Sequence, residues 1–542
     1  MPANGRARRG WAVVAGTVLV VLVAAAAGAA EPTSAPTAQA DPAPWPVYHH
    51  DPLGRGQDGS GIDLAAPRAD WTSPALDGDL FGEPLVAGGD VYVATENDTV
   101  YALHAADGSV AWSTHLGTPV PAGSLPCGDI APSVGITGTP VIDPARQEIF
   151  VVADEEVNGS PAHRLVGLDL SSGAVRTTVD VDPAAADPST LLQRTGLALD
   201  AAGDVVFGYG GNYGDCGTYR GWVISVPDAG GDPATFAVTT TAGSKGAVWM
   251  GGGAPVVDGA GHIWVAAGNG TSTSADHYDG SDSVIELSAG LVRLASFAPS
   301  DWPSENAGDL DLGSSSPALL PDGLVVQAGK SGTAYLLRQS SLGGIGGQVA
   351  SVHVCDQDVS GGDAVSGDVV FLPCLSGLVA VQAIGTGQPS LSVRWRSPVG
   401  GGPPILAGGL VWTQGNGVLY GLSVATGSVT DQLAVGPAAN HFPTPSVGDG
   451  LLLATGTDQV RAFADATAVP TTTTVAPTTT TPGARTGPGG ARPAERLTSG
   501  GTGISAGAVA GGVLGGLALV GVAGWLVLRS RRRRAPGTGP PG

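Results

Sequence analysis

Lysine is almost absent from this sequence of 542 residues, which contains only Lys245 and Lys330. Basic residues number 25 against 47 acidic ones, and 11 of the basic residues lie in the two ends of the chain, outside 41–465. The stretch 41–465 therefore carries 14 basic and 45 acidic side chains, a net charge of about −31. Because a surface of that charge repels phosphate groups, the composition excludes a nucleic-acid-binding protein.

Cysteine is also scarce, and its spacing excludes several kinds of site. All four cysteines lie within 41–465, and no CxxC or CxxCH spacing occurs, which excludes zinc ribbons and covalently attached haem. The sequence contains no Ser-His-Asp motif, nucleophile elbow, phosphate-binding loop or zinc signature. An even number of cysteines instead favours disulfide bonds in an oxidising compartment.

The two ends of the chain predict export and anchoring at the cell membrane. Residues 1–30 contain three arginines and then an apolar run that ends in small residues, which is the pattern of a signal peptide. An uncleaved signal anchor is the alternative. Residues 504–528 are uncharged and long enough to span a bilayer, and the arginines that follow mark the cytoplasmic side. The predicted segments are a signal peptide (1–30), a disordered Pro/Ala-rich segment (31–44), a folded domain (45–465), a Thr/Pro/Gly-rich stalk (466–503), a transmembrane helix (504–528) and a basic cytoplasmic tail (529–542).

The folded domain is built from internal repeats. An apolar pair, a Gly-rich turn and a second apolar strand recur eight times, at intervals of about 40 to 60 residues. Each unit follows a short strand of small apolar residues, such as TPVIDPA or APVVDGAG, that ends in a turn. Small innermost strands are what a propeller blade requires, since these strands crowd the axis. The repeats predict an all-β, eight-bladed β-propeller, with seven blades as the alternative.

The eighth unit ends after its third strand. The missing fourth strand could come from residues 69–76, ADWTSPAL, near the start of the domain. Such pairing would close the ring and remove a free sheet edge.

Four blocks of sequence resemble a known family. The stretch ALHAADGSVAW (102–112) is similar to the repeat of quinoprotein-type propellers, in which an acidic turn, a glycine and a final tryptophan dock neighbouring blades. The blocks 126–143, 248–258 and 308–337 resemble secreted or membrane-anchored bacterial proteins of the pyrroloquinoline-quinone (PQQ) repeat, quinoprotein alcohol-dehydrogenase-like type. The resemblance covers nearly all of 45–465, including WPVYHHDP near its start. It implies the fold more strongly than an activity.

Propeller geometry places the long loops and the cysteines on one face. Loops between second and third strands open on the same face as the links between blades, and these loops are long in units two, three and four. Elaborated loops on a rigid scaffold are the usual place for binding. Cys127 and Cys216 fall on this face in one sector, and Cys355 and Cys374 in another, so the geometry predicts the disulfides Cys127–Cys216 and Cys355–Cys374.

The family resemblance also implies a candidate quinone and calcium site. By order along the chain, Glu155, Glu156 and Asn269 resemble the calcium ligands, Asp279 or Asp282 the catalytic base, and Lys330 the quinone-contacting cation. The family's pair of adjacent cysteines is missing. Competing roles are a turn position for Asn269, a solvated acidic loop for Asp276, Asp279 and Asp282, and an ion pair of Lys330 with Asp309 or Asp311. His49 and His50 could bind a metal as a pair or serve in packing.

We therefore expect a membrane-tethered domain outside the cytoplasm that acts without catalysis, as a binding or assembly module with an acidic, loop-rich face. Its partner would be a protein or a cell-wall ligand, without a cofactor. One alternative is a PQQ- and calcium-dependent alcohol or sugar dehydrogenase with a degenerate site. Another is a cell-wall carbohydrate-binding propeller, for which the loop tyrosines are the hint: Tyr209, Tyr213, Tyr219 and Tyr278.

Overall fold

The computed structural model describes residues 44–184, 186–228, 230–241, 244–385 and 388–466, and these form eight sheets of the propeller type. The first strand is β1 (Pro67–Thr72). The strands that follow form blade 1 (β2 Leu85–Ala87, β3 Asp90–Ala94, β4 Thr99–His104, β5 Val110–His115), a small hairpin (β6 Val120–Pro121, β7 Ser133–Val134), blade 2 (β8 Val141–Asp143, β9 Glu148–Val157, β10 Ser160–Asp169, β11 Val175–Asp180) and blade 3 (β13 Ala198–Leu199, β14 Val205–Gly211, β15 Trp222–Val226, β16 Ala234–Ala237), to which β12 Leu191–Leu192 is added.

The next strands form blade 4 (β17 Val256–Val257, β18 Ile263–Ala267, β19 Ser283–Leu287, β20 Arg293–Ala298) and blade 5 (β21 Ala318–Leu320, β22 Leu324–Ala328, β23 Thr333–Arg338, β25 Ala350–His353), and β24 Gly344–Ile345 is added to the outer edge of blade 4. The last strands form blade 6 (β26 Ala364–Ser366, β27 Val369–Cys374, β28 Gly377–Ile384, β29 Ser390–Ser397), blade 7 (β30 Ile405–Ala407, β31 Leu410–Gly415, β32 Val418–Ser423, β33 Val429–Ala434) and blade 8 (β34 Ser446–Gly448, β35 Leu451–Thr455, β36 Val460–Asp465).

The N-terminal strand closes the ring, as the sequence predicts. β1 pairs antiparallel with β36, from Pro67 opposite Asp465 to Thr72 opposite Arg461, and supplies the fourth strand of blade 8. It begins two residues earlier than the predicted segment and ends within it. The innermost strand of blade 1 also contacts that of blade 8. A Cβ on Gly448 would lie 2.5 Å from the Cβ of Val86, so crowding at the axis requires a small residue there.

Among the described residues, helical structure is limited to links between strands. The described residues include the α-helix α1 (Trp302–Gly308), in the link from blade 4 to blade 5, which the sequence analysis does not predict. Four 3₁₀ turns accompany it: Ala122–Ser124, Pro188–Thr190, Met250–Gly252 and Leu312–Ser314. Within the described ranges, no helix is long and apolar enough to cross a membrane. The predicted signal peptide (1–30), the transmembrane helix (504–528) and the cytoplasmic tail lie outside these ranges, as do the stalk from residue 467 and the segment before residue 44.

An N-terminal segment, residues 45–57, fills the axis of the propeller. Its main chain forms hydrogen bonds of 2.6 to 3.0 Å with the innermost strands of blades 1, 2, 4, 6 and 7. The bonds join Trp45 to Val86, Pro46 to Ile142, Pro52 to Val257, Arg55 to Val365 and Gly56 to Leu406. We call these residues the axial segment. Because it binds so many blades at once, it holds the ring together from inside.

Trp45 and His49 of the axial segment are buried and form hydrogen bonds with Glu83. Glu83 accepts hydrogen bonds from Trp45 Nε1 (3.0 Å) and from the His49 amide (2.8 Å). His49 is fully buried, its Nδ1 lies 3.2 Å from the Asp363 carbonyl oxygen, and burial lowers its pKa to about 4. The His50 ring lies 4.8 Å from the Trp45 ring. These contacts give the two histidines a packing role.

Asp363, beside His49, is expected to make stability fall with rising pH. Its side chain is buried, both carboxylate oxygens lack a hydrogen-bond partner among the described residues, and burial raises its pKa well above the ordinary value. A group whose pKa is raised by folding stabilises the protein below its unfolded pKa, and that contribution is lost as pH rises towards the folded pKa. Asp363→Asn removes this dependence. Urea unfolding of both proteins at pH 5 and pH 7 should show the free energy of unfolding of the wild type falling relative to that of the variant across that range. A constant difference would contradict the assignment.

Tryptophans on outer strands dock neighbouring blades, as the family resemblance implies. Trp112 Nε1 donates to the Leu170 carbonyl (2.8 Å), and its ring covers the turn glycine Gly173. The same contact recurs at Trp71 with Ala105 and Gly108, and at Trp395 with Val424 and Gly427. Each ring therefore links one blade to the turn between the third and fourth strands of the next.

Gly173→Ala is expected to destabilise the domain by about 2 kcal/mol more than Gly88→Ala. Both glycines have similar left-handed backbone, with φ of 67° and 64°, so both variants carry the same backbone cost. Only at Gly173 would the new Cβ collide with a ring, that of Trp112, whereas Gly88 faces open space. Equal losses for the two variants in chemical unfolding would show that the docking contact is unimportant.

Candidate functional site

The loop face carries two long loops rather than the three that the sequence predicts. The connections 212–221 in blade 3 and 268–282 in blade 4 are loops. In blade 2, however, the prediction of a long loop is wrong. There β9 and β10 extend to ten residues each and turn at Asn158 and Gly159, both with positive φ. The prediction failed because an Asn-Gly hairpin turn lets both strands continue to pair beyond the body of the sheet.

The structure contains both predicted disulfide bonds. Cys127 is bonded to Cys216 and Cys355 to Cys374, each with Cα atoms 5.9 Å apart. The first ties the link after blade 1 to the long loop of blade 3. The second connects the link into blade 6 to the end of β27. Both therefore brace the loop face.

Asn269 and Lys330 meet at one carboxylate, that of Asp311. The main-chain N–H of Asn269 donates to Asp311 Oδ1 (2.6 Å), and Lys330 Nζ lies 2.6 Å from Asp311 Oδ2 and 3.4 Å from Asp309 Oδ2. Burial alone would lower the pKa of Lys330, but the Asp311 and Asp309 carboxylates raise it above its ordinary value. The ion pair considered as an alternative role for Lys330 is thus present.

Asp282 borders the same group, whereas the other loop aspartates do not form part of it. Asp282 is fully buried and its Oδ1 accepts from the Leu312 amide (3.1 Å). Burial, followed by the charge of Asp311, raises the pKa of Asp282 to about 9, so the group is protonated near neutral pH and is a poor base there. Asp279 accepts from the Ser281 amide and hydroxyl within its own turn, and Asp276 is exposed.

Glu155 and Glu156 belong to blade 2 and have other partners. Glu155 Oε2 lies 3.1 Å from Arg164 Nη1, and the exposed Glu156 donates its amide to the Thr118 carbonyl (2.7 Å). Calcium needs several uncommitted oxygens at one point. The oxygens of Glu155 and Asp311 are instead engaged by Arg164 and Lys330, so this arrangement does not fit a calcium ion and quinone unless those ion pairs break.

Aromatic and cationic side chains surround the axis on the loop face. Lys330 Nζ lies 5.4 Å from the Trp249 ring centre, and the Trp249 and Phe442 rings are 6.1 Å apart. The Arg194 guanidinium lies 5.6 Å from the Phe81 ring and 6.0 Å from the Phe442 ring. We call these five residues the axial mouth. Sequence reasoning missed four of them, although Trp249 stands in one of the quoted blocks.

An open pocket adjoins the axial mouth. It has a volume of ≈ 580 Å³ and is lined by Leu375, residues 400–402, 414–417 and 436–438, Asn440, His441 and Pro443. Six of these residues are glycines. Asn440 connects the pocket to the mouth, since its Oδ1 accepts from Arg194 Nη2 (2.9 Å). The pocket thus offers main-chain groups beside the aromatic side chains of the axial mouth.

The prediction that the four loop tyrosines form an exposed binding surface is wrong for most of them. Tyr209 is fully buried, Tyr219 is 3 % exposed and Tyr278 is half-buried, whereas Tyr213 is 70 % exposed. Tyr219 donates to Asp215 Oδ1 (2.6 Å), and Tyr278 packs 5.0 Å from the Trp302 ring. Packing between blades and loops, which no single repeat reveals, buries these rings.

Comparison with known proteins agrees with this architecture. The family model described as outer membrane protein assembly factor BamB matches residues 68–282. Quinohemoprotein alcohol dehydrogenase ADHIIG from Pseudomonas putida HK5 aligns with a TM-score of 0.61 at 14 % identity, over 78 % of this chain and 80 % of that chain. A europium-containing methanol dehydrogenase aligns with a TM-score of 0.58 at 14 % identity, over 78 % and 98 %. The quinohemoprotein alcohol dehydrogenase from Comamonas testosteroni has a TM-score of 0.56 at 14 % identity, over 78 % and 80 %.

Sequence comparison adds little to this picture. No curated protein sequence matches the chain significantly. At 14 % identity the solved structures establish the fold and not the activity. Together with the eight four-stranded blades and the tryptophan docking contacts, they show that this chain has the fold of the PQQ-repeat β-propellers, which it resembles most specifically over residues 68–282.

Proposed function

We propose that the propeller is a non-catalytic binding module that holds a protein partner at the axial mouth and its adjoining pocket. One observation carries this proposal. The charged groups of the candidate quinone site are paired within the chain, Lys330 with Asp311 and Glu155 with Arg164, while the adjacent ≈ 580 Å³ pocket is open. A site whose charges are already neutralised favours binding over proton transfer.

The chemistry of the pocket and its rim suits a basic, extended segment of a protein. Glycine-rich walls expose main-chain donors and acceptors, which can bind another main chain. Exposed acidic side chains lie on the loops, the links and the extended β9–β10 hairpin of the same face: Asp129, Glu156, Asp276 and Asp309. Complementary charge would speed association and make it sensitive to salt.

Site-specific crosslinking in intact cells tests the proposal. A photoreactive residue at His441, in the pocket, should crosslink to another polypeptide, whereas the same residue at the exposed His104, at the end of β4, should not. Ala438→Trp fills the pocket and should abolish the crosslink, while Ala106→Trp, on an exposed turn after β4, should leave it intact. Equal crosslinking at both positions, or crosslinks to wall polysaccharide instead of protein, would overturn the proposal.

The proposed role also requires that the propeller be exported and tethered to the cell membrane. The segments 1–30 and 504–528 support a propeller held outside the cytoplasm on a stalk, with the C-terminal tail inside. Protease added to intact cells should then digest the propeller and spare an epitope placed after residue 534. Protection of both, or a propeller that fractionates away from membranes, would contradict this placement.

The alternative role is that of a PQQ- and calcium-dependent dehydrogenase. The observation that favours it is that Asn269, Asp282 and Lys330 lie close to one another around residues 311–312, near the Trp249 ring. In that role the quinone would supply the redox chemistry. Within the chain, Trp249 could support a flat ring and Lys330 an anionic oxygen.

A further inference from the structure

Arg194, in the axial mouth, is a buried cation without a carboxylate beside it. It is 8 % exposed, and no other arginine or lysine of the described residues is buried to this extent. The ion pairs of the described chain do not include Arg194, although six less buried basic side chains have such a partner: Arg55, Arg146, Arg164, Arg176, Lys245 and Lys330. Because burying an unpaired cation is costly, folding alone does not account for this arginine.

Neutral groups hold the Arg194 guanidinium in place. Its Nη2 donates to Asn440 Oδ1 (2.9 Å). Asn440 is itself fixed, because its Nδ2 donates to the Phe81 carbonyl (2.8 Å) and its Oδ1 also accepts from the Phe442 amide (2.8 Å). Gly252 leaves room for the guanidinium, since a Cβ there would lie 2.5 Å from Arg194 Nη1. The guanidinium therefore has a defined position, while its charge is not neutralised by any of these contacts.

Acidic residues act on Arg194 only from farther away. Burial lowers the pKa of Arg194, and the charges of Glu96 and Asp129 oppose that shift. Glu96 Oε2 already accepts hydrogen bonds from the Gly135 amide (2.7 Å) and the Thr137 hydroxyl (3.1 Å). Burial also raises the pKa of Glu96 to about 7, so this carboxyl group is only partly ionised near neutral pH. Glu96 is therefore a weak counterion for Arg194.

The adjoining pocket contains a buried acceptor that also lacks a partner. Gln414 lines this pocket and is 1 % exposed. Its Nε2 donates to the Thr455 carbonyl (2.8 Å), whereas its Oε1 has no hydrogen-bond partner among the described residues. Asn440 lines the same pocket and accepts from Arg194, so the guanidinium and the Gln414 side chain belong to adjoining parts of one opening. A ligand in this opening would meet a cation and an acceptor for an N–H group.

We propose that Arg194 binds the C-terminal carboxylate of the protein partner, and that Gln414 Oε1 accepts a main-chain N–H close to that end. Arginine binds carboxylates through paired, charge-assisted hydrogen bonds. A chain end carries a carboxylate and main-chain N–H groups next to one another, and capture of chain ends is a recurring mode of peptide recognition. The inference rests on the protein-binding function proposed above and identifies the part of the partner that enters the mouth. Basic residues before that end would face the acidic rim.

Selection from random hexapeptides by the detergent-solubilised full chain tests the proposal. One library has free C-terminal carboxylates, and a second library of the same composition has C-terminal carboxamides. The wild type should retain the free peptides at least about 10-fold better, the effect of one hydrogen bond to a charged group. No preference for free over amidated peptides would overturn the proposal, as would selection of internal aspartate or glutamate whatever the chain end. This comparison needs no variant, so it is decisive even if the variants unfold.

Variants then assign the preference to Arg194. Arg194→Gln should lose it, and Arg194→Lys should weaken it because an ammonium group lacks the planar pair of donors. Arg293→Gln is the matched control, since Arg293 also lies beside an aromatic ring, 5.2 Å from that of Phe236, but on the outer strand β20 of blade 4. This control should keep the preference. An unchanged preference in Arg194→Gln would overturn the proposal.

Urea unfolding of Arg194→Gln separates a binding role from a structural one. The variant removes a buried charge that has no ion-pair partner, so its unfolding midpoint should equal or exceed that of the wild type. A lower midpoint together with an unchanged peptide preference would mean that Arg194 serves only to hold Asn440, and the proposal would fail.

The carboxylate anchor and the protein-binding function fail in different experiments. If only the anchor is wrong, a photoreactive residue at His441 still crosslinks to a polypeptide in cells, while the purified wild type does not distinguish free from amidated peptides. If the binding function itself is wrong, the crosslink to a polypeptide is absent.

Discussion

Trp45→Ala is expected to lower the free energy of unfolding by about 3 to 5 kcal/mol, the cost of removing a large buried ring. The Trp45 side chain is 1 % exposed and packs in a hydrophobic core cluster with residues of blades 1 and 8. The variant also leaves the buried carboxylate of Glu83 with one donor fewer, since Trp45 Nε1 no longer reaches it. Denaturant unfolding followed by tryptophan fluorescence and circular dichroism would measure the loss.

Trp249→Ala is the matched control for that experiment. Trp249 is half-buried at the mouth, and removing its ring leaves no enclosed cavity, so we expect a loss of about 1 kcal/mol. If Trp45→Ala were no more destabilising than Trp249→Ala, the axial segment would not hold the blades together.

Removal of the Cys127–Cys216 disulfide, by replacing both cysteines with alanine, is expected to cost about 4 kcal/mol. The bond closes a loop of 89 residues and therefore restricts the unfolded chain strongly. The two cysteines are only partly buried, so loss of packing adds little. The variant keeps Cys355–Cys374, which closes a loop of 19 residues.

The variant without this disulfide should keep the native fold but should unfold at a lower concentration of denaturant. Circular dichroism of the folded variant should match the wild type, while the midpoint of urea unfolding should fall. A loss below 1 kcal/mol would mean that the loop of blade 3 is held to the blade 1 link by its other contacts.

The ring of eight blades could be predicted because each blade repeats its own signals. Short apolar strands such as β8 and β17 end at turn residues, and an N-terminal strand was needed to complete blade 8. The cysteine pairs followed from the alternation of strand direction, which fixes the face of each loop. Such features depend on local pattern and topology alone.

Features that depend on contacts between distant segments could not be predicted. Arg194 enters the mouth because Asn440, 246 residues away, accepts its hydrogen bond. The axial segment acquires its role only when the blades surround it. Burial of Tyr209 likewise depends on neighbouring blades. In the candidate quinone site, the sequence order suggested Glu155 beside Asn269, but the ion pairs with Arg164 and Lys330 are properties of the folded chain.

The most direct test of the account is oxidation of alcohols and sugars by the full chain after incubation with PQQ and Ca²⁺, followed with a redox dye. We expect no turnover above that of the quinone and calcium alone, because Lys330 is already paired with Asp311 and Asp282 is protonated near neutral pH. Lys330→Ala should therefore give the same trace as the wild type. Turnover that requires both PQQ and Ca²⁺ and disappears in Lys330→Ala would contradict it.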